Sequence, residues 1–159
     1  MTTKNTDLVA NFEATPQVAN SAAELAGVLR TAHGSVELAA GDSTDNDIVM
    51  LAPIPSNAAV PQLFVGSDTL GGSCTFNVGI YKTDGTVKDE DVFASSVADA
   101  AGMTDVRFEA ADLNTGSQKL FELAGDSTDP GGYFYVAITF NATGGTAGTL
   151  NWNINYVVN

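Results

Sequence analysis

Leu150-Asn151-Trp152-Asn153-Ile154-Asn155-Tyr156-Val157-Val158 sets an apolar side chain at every second position, with asparagine between most of them. In a strand successive side chains point to opposite faces, so this period of two places Leu150, Trp152, Ile154, Tyr156 and Val158 toward a core. Asn151, Asn153 and Asn155 then share the opposite face, where they are either solvated or bonded to a partner. A strand with one buried and one polar face belongs to an antiparallel sheet.

The same reading extends backward along the chain. Thr75 to Tyr81 alternates with Phe76, Val78 and Ile80 inward, and Cys74 extends that series as a core residue. Thr83-Asp84-Gly85-Thr86 carries the Asp-Gly signal of a tight hairpin. Ile48 to Ile54 is a short apolar run ended by Pro53 and Pro55, and Gln62 to Val65 follows. Thr104 to Glu109 reads as a short strand with Val106 and Phe108 on one face. Tyr133 to Phe140 pairs with Thr149 to Val157 across the glycine-rich segment 141–148. From about residue 28 the apolar positions Val28, Ala32, Val36, Leu38 and Ala40 favour a strand over a short helix spanning 20–29, with Gly34 marking a bulge or bend. Short helical turns are expected at Val92 to Val97 and at Gln118 to Leu123. The sum is about eight short strands and no long amphipathic helix to cross between parallel strands. That predicts an all-β, antiparallel, jelly-roll-like sandwich over residues 21–159. Residues 1–20 are polar, lack a sustained period and contain Pro16, and are expected to form an extended N-terminal arm.

Length and charge bound the function. A chain of 159 residues fits one domain with one core. Nineteen acidic against six basic side chains give a formal net charge of −13, with no Lys/Arg cluster to neutralise phosphates, which disfavours nucleic acid as a partner. The run Asp89-Glu90-Asp91 reads as a solvated, solubilising loop. Because an acidic surface repels its own copies, a docking surface should be locally apolar or meet a basic partner. Residues Met1 to Asp7 lack the apolar stretch of a secretory signal, and no run approaches 18 apolar residues, so neither that export route nor a membrane span is expected. Without secretion, the glycosylation pattern Asn141-Ala142-Thr143 carries little weight.

One segment is echoed. Glu37-Leu38-Ala39-Ala40-Gly41-Asp42-Ser43-Thr44-Asp45 recurs, less one alanine, as Glu122-Leu123-Ala124-Gly125-Asp126-Ser127-Thr128-Asp129. Gly, Asp and Ser are turn-forming residues, so the plain reading is two similar turns leading into strands. Two sharper readings are a duplicated half and a calcium site built from Asp42, Asp45 and Asp47 and from Asp126 and Asp129. Their spacing does not match the EF-hand loop, and no metal or cofactor is expected.

Catalytic equipment is sparse. His33 is the one histidine, no Gly-x-Ser-x-Gly elbow accompanies it, and its neighbours suggest the polar face of a strand. Counting alone leaves the paired carboxylates of glycoside hydrolysis open, since nineteen acids supply many pairs. No phosphate-binding loop, Cys/His metal cluster or dinucleotide fingerprint is present. The expectation is a protein that binds or assembles and is not an enzyme.

Several stretches, in order, resemble small virion structural proteins of tailed bacteriophages. They are 36–42 (VELAAGD), 54–58 (IPSNA), 78–85 (VGIYKTDG), 93–95 (FAS), 122–125 (ELAG) and 129–132 (DPGG). The resemblance implies a head decoration or capsid cement protein, made in the host cytoplasm and carried on the surface of the phage head. It implies the major capsid protein as partner, homotrimeric assembly and no catalytic residues. It also implies an arm that orders on the capsid, with Asp7, Leu8, Val9, Phe12 and Pro16 as candidate contacts. The alternatives are a carbohydrate- or receptor-binding sandwich displayed on the particle, with Tyr133 and Tyr135 as the exposed aromatics, and a tail, neck or head-fibre component.

Overall fold

The computed structural model describes residues 6–20, 25, 27–99, 102–109 and 113–158. Its strands are β1 (Leu29–Leu38), β2 (Ile48–Pro55), β3 (Ala58–Ser67), β4 (Thr75–Lys82), β5 (Val87–Ala98), β6 (Thr104–Asp105), β7 (Tyr133–Ala142) and β8 (Gly148–Val158). They form two four-stranded sheets, ordered β1-β8-β3-β6 and β2-β7-β4-β5, and every pairing is antiparallel. Only the β4–β5 link stays within a sheet. Every other connection crosses to the opposite sheet, which is the interleaved order of a jelly roll.

The single in-sheet link is the one with the Asp-Gly turn. Gly85 takes φ +86°, a left-handed conformation that a Cβ would strain. The N–H of Lys82 bonds the Thr86 carbonyl at 2.8 Å, and the Asp84 carboxylate accepts the Thr86 N–H at 2.9 Å. Hydrogen bonds from Thr86, first its N–H and then its hydroxyl, hold the Asp84 carboxyl below the ordinary carboxylate range. By contrast Ser56 and Asn57 carry the chain from one sheet to the other in two residues. Buried Ser56 fixes this corner, its hydroxyl donating to Asp129 at 2.6 Å and its carbonyl accepting the Phe121 N–H at 3.0 Å.

The core lies between the sheets. Leu150 and Ile154 of β8 meet Leu63 and Val65 of β3 and, from the other sheet, Phe76, Val78, Ile80, Val136, Ile138 and Phe140. Phe76 and Phe140 contact edge to face with centroids 6.3 Å apart. Cys74 belongs to this core, and burial pushes its thiol pKa up, with Asp99 adding to the shift. Trp152 and Tyr156 pack against the same core from β8, on the face that the alternation assigns to them.

Four local expectations are corrected. Gly34 makes no bulge: it pairs in register with Trp152, and a Cβ there would lie 2.8 Å from the indole ring, so the glycine makes room for tryptophan. Val92 to Val97 is not helical but lies within β5. Thr104 to Glu109 is strand only at Thr104–Asp105. There the Asp105 carboxylate accepts the N–H groups of Arg107 at 3.1 Å and Leu63 at 3.3 Å, and Val106–Glu109 turn into a 3-10 helix. In the expected extended arm, Asp7–Glu13 form a helix, α1. The helical turn expected at Gln118 to Leu123 is present as α2 (Leu120–Leu123). Most of the helix weighed for 20–29 and the side chain of Phe108 lie outside the described residues.

Candidate docking surface

The arm is built from weak local preferences held by side-chain clasps. Asp7 places a negative charge in the first turn of α1, where the helix dipole favours it, and the Thr6 carbonyl accepts the N–H of Ala10 at 2.9 Å. The helix ends at Glu13, ahead of Pro16, whose ring disfavours helix in the residue before it. Seven residues are too few to hold a helix alone. Here the Asn11 side chain donates to Asn20 Oδ1 at 2.8 Å, Asn20 donates to the Leu8 carbonyl at 3.1 Å, and the Val18 N–H reaches the Asn11 carbonyl at 3.1 Å. The result is a hook. Leu8, Val9 and Phe12 share one face of α1 by their spacing of three and four, no residue of the helix is buried, and Phe12 is 66% exposed. Asp7 and Pro16 are also exposed. Val28, 74% exposed, leads into Leu29, 56% exposed, at the start of β1.

β1 and β2 each end their sheet, and among the described residues no strand pairs with their outer edges. β1 holds its register against β8 for ten residues without a shift and contains no proline. β2 is less regular, with a bulge between Met50 and Ala52 and prolines at 53 and 55, residues an edge strand tolerates because no ladder bond is needed there. Between the two edges runs a groove of about 410 Å³, floored by Val36, Leu38 and Val49 and rimmed by Glu37, Asp42 and Asp47. Ile48 and Met50 are 45% and 39% exposed beside it. Of the eleven exposed large hydrophobic side chains among the described residues, Val9, Phe12 and Val18 lie in the hook, Leu25 and Val28 between it and β1, and Leu29, Ile48 and Met50 in the two edge strands. Eight of the eleven thus fall within the first 50 residues of the sequence.

The other candidate residues are dispersed. Asp42 and Asp47 accept the N–H groups of Ala39 and Thr44 within their own loop, at 2.9 and 2.8 Å, and Asp45 accepts the side-chain amide of Asn46. Asp126 pairs with Lys88 at 2.7 Å. Asp129 is held below the ordinary carboxylate range, first by the Ser56 hydroxyl and then by the Gly131 N–H. These five carboxylates are not brought together, and no cluster able to hold a metal ion occurs among the described residues. The two echoed segments serve different elements: one ends β1 and leads to β2, the other ends α2 and leads to β7, which pairs with β2. His33 is exposed on the outer face opposite Asn153. Asn153 and Asn155 bond within their own sheet, to Thr31 at 3.3 Å and Gln62 at 3.1 Å. Tyr133, 57% exposed, lines a cleft of about 290 Å³ with Lys82, Asp84, Lys88 and Asp126. No described helix is long and apolar enough to cross a membrane.

Sequence reasoning missed the open edges and Arg107. Whether a strand ends its sheet depends on pairing between distant segments, so no local signal marks it. Arg107 is buried with its guanidinium 5.0 Å from the centre of the Phe93 ring, and burial lowers its pKa against the attraction of Asp105. Its Nη1 finds no hydrogen-bond partner among the described residues.

The same fold occurs in solved particles. A chain in the capsid of Ralstonia phage GP4 superposes with a TM-score of 0.58 at 17% identity, covering 84% of this chain and 86% of that one. A chain of the cyanophage Pam1 capsid asymmetric unit gives 0.51 at 16% identity, with the same coverage of each. Both particles are phage capsids. At such identities the likeness establishes a shared fold across nearly the whole chain. No protein-family model matches the sequence, and no curated protein is similar to it.

Proposed function

We propose that this chain is a non-catalytic structural component of a phage particle that attaches to the outer surface of the head and stabilises the shell, as a decoration or cement protein. The observation that carries this reading is the fold match to chains of two phage capsids over 84% of the sequence. The exposed apolar side chains of the hook and of the β1 and β2 edges supply the means of attachment, because apolar burial drives association while the net charge of −13 discourages self-adhesion elsewhere. The partner is the major capsid protein, the assembly is a homotrimer, and the protein is made in the host cytoplasm before joining the virion.

The direct test mixes purified protein with undecorated heads and images them by electron microscopy. Density at symmetry-related positions on the capsid lattice is the expected outcome; unbound protein and bare heads would refute the reading. Deleting residues 2–16 should leave a folded domain and weaken attachment by at least roughly tenfold, since several exposed apolar contacts are lost at once. Undiminished decoration by that variant would remove the hook from the mechanism. Sedimentation of the free protein reads the trimer.

A second reading is favoured by one feature. An exposed aromatic beside paired polar groups is how sandwich domains stack and hydrogen-bond sugar rings, and the Tyr133 cleft has both. Glycan binding that disappears in Tyr133→Ala, with no density on heads, would select a carbohydrate-binding module instead.

A further inference from the structure

We infer that the outer edge of β1 is a strand-addition site, and that its occupant is an extended segment of a partner protein alternating apolar with basic side chains. The inference rests on reading this flank as the docking side and names the chemistry of what docks there.

Three observations converge. First, β1 offers ten residues of regular backbone with no bulge, no proline and no covering strand among the described residues. Natural edge strands of this length are normally blunted, because unpaired N–H and C=O groups recruit any strand that reaches them. Second, a strand laid along β1 would turn every second side chain into the groove, where Val36, Ile48 and Met50 present apolar surface. The backbone ladder would supply affinity, and the alternate pockets would supply selectivity. Third, the rim of that groove carries Glu37 and the loop acids Asp42 and Asp47. The ion pair between Lys88 and Asp126 lies elsewhere, and no basic side chain among the described residues pairs with the rim acids.

That acidity chooses between occupants. A second copy of the chain carries thirteen excess negative charges, and α1 contributes Asp7 and Glu13, so its own hook would bring like charge to an acidic rim. A lysine- or arginine-bearing strand brings the opposite charge. Placing it within about 4 Å of the rim carboxylates gives an attraction that salt screens.

The test uses the full-length protein and three synthetic ten-residue blocked peptides: one alternating valine with lysine and threonine, one with glutamate replacing lysine, and one with two central prolines. Backbone amide shifts are followed by NMR as each is titrated. The basic peptide should shift amides of residues 30–38 and 48–50, and its affinity should fall roughly threefold to tenfold as salt rises from about 0.05 to about 0.5 M. The acidic and proline peptides should leave those amides unmoved. In the double variant Glu37→Lys with Met50→Lys, at two sites not in the buried core, the basic peptide should bind at least roughly tenfold more weakly, while the rest of the spectrum stays native. No shifts with the basic peptide, shifts located elsewhere, equal binding of all three peptides, or concentration-dependent self-association that broadens the β1 amides would overturn the inference. The double variant also separates the two claims on heads. If wild type decorates heads and the variant does so equally well, the edge site is wrong and the capsid reading stands. If the peptide binds as expected but wild type leaves heads bare, the edge site stands and its partner is not the capsid.

Discussion

Along one flank of the sandwich β1 and β2 end their sheets with exposed aliphatic side chains, whereas along the opposite flank β5 and β6 also end theirs, but as a heavily bulged strand and a two-residue strand. The closed flank uses irregularity. Between the pairs Val78↔Ala94 and Ile80↔Asp89, β5 carries four residues where β4 carries one, and the surplus folds over Gly79. A Cβ at Gly79 would sit 2.1 Å from the Asp89 carbonyl oxygen and 2.3 Å from the Glu90 carbonyl carbon. β6 is cut to two residues and gives way to a 3-10 helix whose Arg107 lies over Phe93. A short edge, a bulged edge and charged residues on the bulge are the usual devices against unwanted strand pairing, and this flank has all three. β2 shares the bulge and adds two prolines, so the regular, proline-free edge of β1 is the one that carries none of these interruptions.

The contrast is tested hardest at Phe93, the side chain on which the closed flank is built. It is fully buried and stacks with Arg107, so Phe93→Ala removes core volume and strands a buried cation at once. The expected cost is about 3–5 kcal/mol, read from urea unfolding. A loss below about 1 kcal/mol would mean that the flank relaxes freely and is not a rigid closure.

Gly79→Ala comes next. The methyl group has no room beneath the β5 bulge, so the bulge must lift, at a cost of about 1–3 kcal/mol. Amide exchange should quicken at residues 89–93 more than in β1. Uniform quickening across both sheets would show that the bulge is not an independent cover.

These same residues explain where the sequence was legible. In β8 the apolar alternation matches burial from Leu150 to Ile154 and fails only near the strand's end, where Val157 is buried instead of Tyr156 and Val158. In β5 the bulge breaks the period, so that Phe93 and Ala94 are buried in succession, and an apolar pattern at Val92, Phe93, Ala94 and Val97 imitates a helix. The hook was misread for the converse reason. Leu8, Val9 and Phe12 do follow a helical spacing, but the segment is short and Pro16 stands just beyond it, so local preference alone favoured extended chain. The all-β class and jelly-roll character follow from many such local patterns. The order of strands, and with it the open flank, does not. Those depend on which distant segments pair, and six of the seven links between strands cross from sheet to sheet without a signature of their own.

The smallest effect asks whether the closed flank bears a charge penalty. Desolvation raises the pKa of Asp89 above the ordinary carboxylate value, and neighbouring Asp91 adds repulsion. A folded-state pKa above the unfolded one means that folding favours the protonated acid. Stability is then lost as pH rises from the ordinary carboxylate range through the folded value, and the penalty persists at neutral pH. Asp89→Asn abolishes the charge while its side-chain oxygen still accepts the Asp91 N–H, now bonded at 3.3 Å. The variant should exceed wild type in stability at pH 7 by less than about 0.5 kcal/mol, and the two should converge in acid, where Asp89 is neutral. Melting temperatures across pH 3–7 read the difference. A variant less stable than wild type at pH 7 would show that the Asp89 charge holds the bulge in place, making the closed flank an electrostatic clasp instead of a packed cover.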